Sequence, residues 1–279
     1  MPPLVTIVTP SYNQAAFLEH TIRSVLAQDY PHIEYIIVDG GSTDGSVDIL
    51  RKYEKHLAWW VSEPDRGQSH AIRKGFERAR GDILAWLNSD DLYTPYAVRE
   101  AVEFLERHPD VGMVYADALY IDEEGYVLGK FPAAQTDYRR MMRGYVHIPQ
   151  ATTFFRASVY REVGPLREDM YYAFDYDLWV RIAKRYPIRY VPRLWAYFRI
   201  HLNSKTVAGD DRCWPDMWRV YREQGGGLLS VMALKYVVRQ AIGPWWRWRR
   251  KRWLARGRRR AAERVVGPRL PWEAEDPSA

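Results

Sequence analysis

Three short apolar runs punctuate the first third of the chain: Leu4-Val5-Thr6-Ile7-Val8-Thr9, Tyr35-Ile36-Ile37-Val38 and Ile83-Leu84-Ala85-Trp86-Leu87. Continuous runs of this length read as strands buried on both faces. Each ends in a polar, turn-forming cluster: Pro10-Ser11-Tyr12-Asn13, Asp39-Gly40-Gly41-Ser42-Thr43-Asp44-Gly45-Ser46 and Asn88-Ser89-Asp90-Asp91. After the first two clusters the period changes. Phe17, Leu18, Ile22, Val25 and Leu26 recur at helical spacing, and so do Val47, Ile49, Leu50 and Tyr53. Strand then helix, repeated, implies right-handed crossovers and an α/β fold with a mostly parallel central sheet flanked by helices. Its loops would gather Tyr12, Asp39, Asp44, Asp90 and Asp91 at the carboxyl edge, where open α/β sheets bind ligands.

Asp90 and Asp91 are adjacent carboxylates, and they repel one another unless a cation compensates. A divalent metal carrying a diphosphate is an obvious compensator, because hard cations prefer oxygen ligands. Either aspartate also suits the cap of a helix starting near Pro95. The two residues alone leave both readings open.

Six segments set the context. They are Val8-Thr9-Pro10-Ser11-Tyr12-Asn13, Val38 through Ser46, Asp65-Arg66-Gly67-Gln68-Ser69-His70-Ala71-Ile72, Leu87-Asn88-Ser89-Asp90-Asp91, Asp175-Tyr176-Asp177-Leu178-Trp179-Val180-Arg181 and Arg199-Ile200-His201. In this order and spacing the chain resembles the family 2 glycosyltransferases of the GT-A fold, from about residue 4 to about residue 205. The resemblance implies an inverting sugar transferase that uses a nucleotide-diphosphate sugar and a divalent metal, Mn2+ or Mg2+.

The resemblance also implies roles. Thr9, Tyr12, Asp39, Asp44, Arg66, Asn88 and Ser89 become nucleotide-sugar contacts. Asp39 would accept the N3–H of uracil or thymine, a donor that cytosine lacks, which points to a UDP- or dTDP-sugar; an aspartate before two glycines is equally a turn former. Tyr12 would lie against the base or pack at the strand end. Asp44 also fits a loop that bonds its own backbone or caps the next helix. Arg66 stands beside the start of a helix with apolar positions Ala71, Ile72 and Phe76, a setting suited to a diphosphate or to a solvated arginine. The family's metal motif is often Asp-x-Asp, but here its first position is Asn88, which brings no charge and shifts weight to Asp90 first and then Asp91. His201, after the aromatic run Trp195 to Ile200, is a further metal or diphosphate contact, or a structural histidine. The family's acidic motif places the general base on Asp175, with Phe174 in place of the usual Glu and able to raise its basicity by desolvation. Asp177 is the alternative base. Either residue can instead cap the helical pattern Leu178, Trp179, Ile182. His147 and Gln150 fall where acceptor contacts are expected.

At 279 residues the chain accommodates one large catalytic domain, expected over 1–210, and an appendage. A single cysteine, Cys213, precludes an intrachain disulfide and fits a reducing compartment. The start lacks the features of a secretory signal, and no run of roughly 18 apolar residues is present. There is no internal repeat and no metal-type Cys/His spacing. Charge is unevenly placed: residues 247–279 hold 11 Lys/Arg against 4 Asp/Glu, leaving 30 against 31 for the rest. Leu228 to Arg239 is apolar but too short to span a bilayer, and it leads into Trp245-Trp246-Arg247-Trp248-Arg249-Arg250-Lys251-Arg252-Trp253-Leu254. The segment 211–265 therefore reads as an amphipathic, basic helical appendage, and 266–279 as a disordered tail. Tryptophan interleaved with arginine suits an anionic membrane surface, ahead of a helix packed on the catalytic domain; nucleic acid is the most distant partner.

The expectation is a cytoplasmic enzyme, peripheral at the inner membrane face. It would act on a saccharide or lipid-linked saccharide hydroxyl in cell-surface or extracellular polysaccharide or glycoconjugate assembly. Rival readings are a retaining transferase, a nucleotidyltransferase on a similar fold, and a non-catalytic sugar-nucleotide-binding or membrane-associated scaffold.

Overall fold

A computed structural model describes residues 2–201 and 212–263. The predicted strands form where the apolar runs lie. Strand β1 (Val5–Ser11) is flanked by β2 (Ile33–Asp39) and β4 (Ile83–Trp86), and β2 by β3 (Trp59–Ser62), all parallel. Helices α1 (Ala15–Leu26), α2 (Ser46–Tyr53) and α3 (Gln68–Arg78) make the crossovers.

Beyond β4 the sheet is mixed. Strand β8 (Phe154–Arg156) enters antiparallel between β4 and β6 (Met113–Ile121), while β9 (Ile188–Arg199) runs parallel to β6. Short β5 (Leu92–Tyr93) pairs antiparallel with β9, and β7 (Val127–Lys130) pairs with β6 off the main path. The strand order is β3-β2-β1-β4-β8-β6-β9-β5. Parallel pairing thus fills the half that the strand–helix repeat describes. The two-residue β5 and three-residue β8 are too short to show any period in sequence.

Strand alternation divides the core into two layers. Ile36, Val38, Leu84 and Trp86 face a cluster shared with α3, α6 (Ala157–Val163) and α7 (Phe174–Arg185). Tyr35, Ile37, Ile83 and Ala85 face the other, shared with α1 and α4 (Ala97–Arg107). Gly75 lets α3 close on the sheet, since a Cβ there would sit 2.5 Å from a Val8 methyl. The short α5 (Tyr138–Met141) closes the first layer on the far side.

Among the described residues past 211 two helices form, α8 (Cys213–Glu223) and α9 (Val231–Glu263). Trp214, Met217, Val220, Tyr221 and Met232 join the same core layer as α7, and Trp218 stacks on Tyr236 at 5.2 Å. The appendage is therefore anchored in the body up to about Tyr236. The expected tail, 266–279, lies outside the described residues.

Candidate active site

A cleft of about 800 Å³ opens at the carboxyl edge of β1, β2 and β4 and is closed across the gap by the start of α7 and the end of β9. Its walls include Tyr12, Gly40, Asp65, Gln68, Trp86, Asn88, Ser89, Asp90, Asp91, Gln150, Tyr171, Asp175 and Arg199.

The loops after β1 and β2 are tied together by carboxylate and amide caps. Asn13 adopts a left-handed φ of 52°, which asparagine tolerates, and its Oδ1 accepts from the Thr43 N–H at 2.9 Å. Asp44 accepts from the Ala15 N–H at 2.9 Å and from the Ser46 N–H and hydroxyl, so it caps α1 and α2 together. Burial pushes its carboxyl up, but the hydrogen bonds from Ser46 and Ala15 outweigh this and hold it below the usual range. Asp39 is fully buried. Its Oδ2 accepts from Gly41 N, Ser42 N and the Ser62 hydroxyl at 3.1, 2.8 and 2.7 Å, and its Oδ1 from the Ser42 hydroxyl at 2.5 Å. Neither Asp39 nor Asp44 lines the cleft; loop N–H groups and serine hydroxyls take up their acceptor capacity.

What faces the cleft at this position is Asp65. A Cβ on Gly40 would meet Asp65 Oδ2 at 2.8 Å and the Tyr12 ring at 3.3 Å. The missing side chain of Gly40 leaves room for these two groups, and Asp65 Oδ1 is fixed by the Gly67 N–H at 2.7 Å. Tyr12 is 62% exposed, its ring open to a stacking partner. Thr9 is in the core, its hydroxyl bonded to the Tyr35 hydroxyl at 3.0 Å, and does not reach the cleft. Arg66 turns away to pair with Glu168 at 2.6 Å.

At the end of β4 the four polar residues separate in function. Asn88 receives Gln68 Nε2 at 2.6 Å and donates to Asp91 Oδ2 and to Gln150 Oε1 at 3.1 and 3.0 Å. Gln150 in turn donates to the Trp86 carbonyl at 2.8 Å. Asp91 borders the cleft, but its buried carboxylate is turned inward, Oδ2 accepting from Asn88 and Oδ1 accepting the Arg199 N–H at 3.0 Å. Burial, and then the charge of Asp90, push the Asp91 carboxyl well above its ordinary value. Asp90 instead reaches the cleft, 3.0 Å from His201 Nε2. The His201 ring packs on Phe17, and the Arg199 guanidinium lies over the same phenyl while bonding the carbonyls of Asp90, Asp122 and Glu123. Arg199, Asp65 and Gln68 line the cleft without a role assigned from sequence, although each lies within one of the six motif segments.

Across the cleft, the first turn of α7 carries both candidate bases. Asp175 lines the cleft, and its Oδ1 accepts the Tyr176 N–H at 2.7 Å. Asp177 points the other way and is 2% exposed, gripped by Arg181 at 2.7 and 2.9 Å with Arg167 at 3.8 Å. Phe174 is buried against the Trp86 ring at 6.4 Å. His147 stays outside, with Nδ1 3.1 Å from the Pro132 carbonyl and its ring stacked on Tyr145.

Among the described residues no three Asp, Glu, His or Cys side chains converge as a self-sufficient metal cluster. Asp90 presents a carboxylate to the polar cleft, and His201, buried and outside the cleft lining, backs that carboxylate through Nε2. That arrangement fits a cation that takes its other ligands from substrate phosphate and water, as Mg2+ typically does.

The family model for glycosyl transferase family 2 matches residues 6–164. This chain belongs to that family. It is 34% identical over 157 residues to the putative teichuronic acid biosynthesis glycosyltransferase TuaG of Bacillus subtilis, covering 54% of this chain and 56% of that protein. It is 34% identical over 187 residues to an uncharacterized glycosyltransferase of Mycobacterium tuberculosis, covering 65% and 69%. The match thus spans little more than half the length of the Bacillus relative. In fold it is similar to S. aureus TarS bound to UDP, with a TM-score of 0.62 at 16% identity over 78% of this chain and 64% of that one. It is also similar to a mannosyltransferase of Pyrobaculum calidifontis bound to GDP-Man and Mn2+, with a TM-score of 0.62 at 21% identity over 98% and 78%. The GT-A-like α/β architecture and the glycosyltransferase family follow.

Proposed function

We propose that this glycosyltransferase moves a sugar from a nucleoside diphosphate sugar to a hydroxyl with inversion, using Asp175 as general base. The observation that carries this reading is the division within one helical turn: Asp175 lines the cleft, whereas Asp177 is sealed in an ion pair. In the reaction the acceptor oxygen attacks the anomeric carbon opposite the bond to the diphosphate oxygen. The acceptor proton passes to Asp175, and the nucleoside diphosphate leaves with the electrons of the broken bond. Asp90, backed by His201, would hold a divalent metal, whose chemistry is Lewis-acid stabilisation of the departing diphosphate. Asn88, fixed by Gln68 and Gln150, offers a neutral contact for a ribose or sugar hydroxyl. Ser89 lies beside it in the cleft wall.

For the base, the expectation of uridine or thymidine is kept and its reader reassigned. Asp65 beside the Tyr12 ring is supported as the N3–H acceptor, because Asp39 is already occupied by loop donors. The relationship to TuaG supports a role in cell-surface polysaccharide assembly, with a saccharide or lipid-linked saccharide as acceptor.

The test is direct. Purified protein with Mn2+ is offered UDP-, dTDP-, GDP- and CDP-sugars, and slow release of the nucleoside diphosphate is followed. Release from UDP- or dTDP-sugars that disappears in Asp175→Asn together with transfer to added acceptors supports the reading. Binding of all four nucleotides with no turnover would favour a sugar-nucleotide-binding scaffold instead.

A further inference from the structure

Helix α9 shows two unlike faces. One is docked: Met232 is buried, Tyr236 stacks on Trp218, and the Lys235 ammonium sits 3.2 Å from the centre of the Tyr145 ring. The other carries Val231, Leu234, Val238, Ile242, Trp245 and Trp248, all exposed. These recur at steps of three and four, so they form one stripe, roughly 26 Å long at ~1.5 Å per residue. Exposed Leu228 and Leu229 extend it at the amino end. A contiguous apolar face of this length on a folded protein marks an interaction site.

Charge identifies the occupant. From residue 224 to 262 the chain has 11 Lys/Arg and no Asp or Glu. The Arg249 and Arg252 guanidiniums lie over the Trp245 and Trp248 rings at 5.3 and 4.4 Å, placing cations beside the aromatic end of the stripe. Among the described residues no helix is long and apolar enough to cross a membrane. An apolar stripe that ends in tryptophan and arginine matches an interfacial helix, with apolar groups at the acyl boundary, indoles at headgroup level and cations on lipid phosphate.

We infer that the outer face of α9, from Leu228 to Arg252, seats the protein on an anionic lipid surface. The docked face of the same helix meets the loop that leads to the cleft wall. Gly144 abuts Met232, Tyr145 underlies Lys235, and the same loop runs on to Gln150 in the cleft. Resting on the transferase reading, this position delivers a lipid-borne acceptor hydroxyl to the side of the cleft that holds Gln150. The seating itself does not depend on that reading.

The experiment is co-sedimentation of the full chain with phosphatidylglycerol-containing and pure phosphatidylcholine vesicles. Donor hydrolysis and circular dichroism are recorded in parallel, so that loss of fold and loss of seating are separated. Wild type is expected on anionic vesicles only, and binding to both alike overturns the charge assignment. The pair Arg249→Gln, Arg252→Gln should weaken partition roughly 30-fold. The pair Leu234→Glu, Val238→Glu should abolish it with hydrolysis unchanged. Wild-type partition by that second pair overturns the stripe. A wild-type dimer that Leu234→Glu converts to monomer, without vesicle binding, assigns the stripe to a second copy of the chain. Retention on RNA that exceeds retention on anionic vesicles also overturns the inference.

Discussion

The end of β4 and the first turn of α7 each present two carboxylates, and in both places the two are put to different uses. Asp91 is turned inward to the Arg199 N–H and Asn88, while Asp90 faces the cleft beside His201. Asp177 is sealed by Arg181, while Asp175 faces the cleft. The ends of the neighbouring strands β2 and β3 repeat the arrangement across a longer separation, with Asp39 buried at the end of β2 and Asp65, in the loop after β3, lining the cleft. A carboxylate that accepts backbone or guanidinium donors positions a loop. Its neighbour, held at the edge of that loop, is left to meet a ligand. The acidic motifs of this chain therefore supply a scaffold residue and a chemical residue together.

The sharpest way to break the comparison is at α7. Asp175→Asn keeps size and helix-start hydrogen bonding but cannot take a proton, so transfer should fall ~10²–10⁴-fold with donor binding retained. Asp177→Asn should do the opposite. Leaving Arg181 without its carboxylate costs about 3–5 kcal/mol of stability, with kcat of the folded fraction nearly normal. Kinetics and urea unfolding on both variants decide it, and a dead but stable Asp177→Asn would reverse the assignment.

The β4 pair comes next. Asp90→Ala should remove the Mn2+ dependence of nucleotide binding and weaken it about 10–100-fold, the range typical of lost metal-site support. Asp91→Asn should leave that dependence in place and lower the unfolding midpoint. Calorimetry with and without metal separates them. Unchanged activity of wild type in excess chelator would remove the metal from the mechanism.

At the base the expected effect is smaller. Asp65→Asn should reduce the preference for UDP over CDP by about 1.5–3 kcal/mol, one hydrogen bond to a charged acceptor. Asp39→Ala should loosen the whole loop, lowering affinity for all nucleotides alike. Equal discrimination by wild type and Asp65→Asn, with a loss confined to Asp39→Ala, would return the reading role to Asp39.

These contrasts also show what was legible in the sequence. Apolar runs located β1, β2 and β4, and the helical periods located α1, α2 and α7, because burial on one or both faces dictates residue type at each position. The carboxyl-edge cleft followed from topology. Which member of each acidic pair faced the cleft was not legible, since it depends on partners distant in sequence: Arg199 for Asp91, 108 residues away, and Ser62 for Asp39, 23 away. Asp177 and Arg181 were a helical step apart, so that pairing was open to inspection. The part played by Gly40 was hidden for another reason. A missing side chain signals space, and only the fold shows that Asp65 and Tyr12 occupy it. The outer stripe of α9 was half visible: the Trp/Arg segment stood out, whereas the docking of Met232 and Tyr236 that turns the other face outward did not.

The smallest expected effect tests how the second region is fastened. Where the β1 and β2 loops are joined by side-chain caps on backbone N–H groups, α8 is tied to the loop before α7 by exposed ion pairs, Arg167 with Glu223 at 2.5 Å and Arg219 with Asp169 at 2.5 Å. Hydrogen bonding from Arg167, and after it the charges of Arg167 and Arg219, hold both carboxyls below their usual range. A depressed folded value means the stabilisation is complete above the unfolded carboxylate value and is lost as pH falls through the folded one. Glu223→Gln should therefore cost at most about 1 kcal/mol at neutral pH, because exposed pairs are solvent-screened. That cost should shrink toward zero below about pH 4, where the wild-type carboxylate begins to lose its own advantage. High salt at neutral pH should shrink it too. Urea midpoints of wild type and variant, compared at neutral and acid pH, measure the difference directly. A cost that stays the same across both pH and salt would show that Glu223 holds α8 by packing and not by charge.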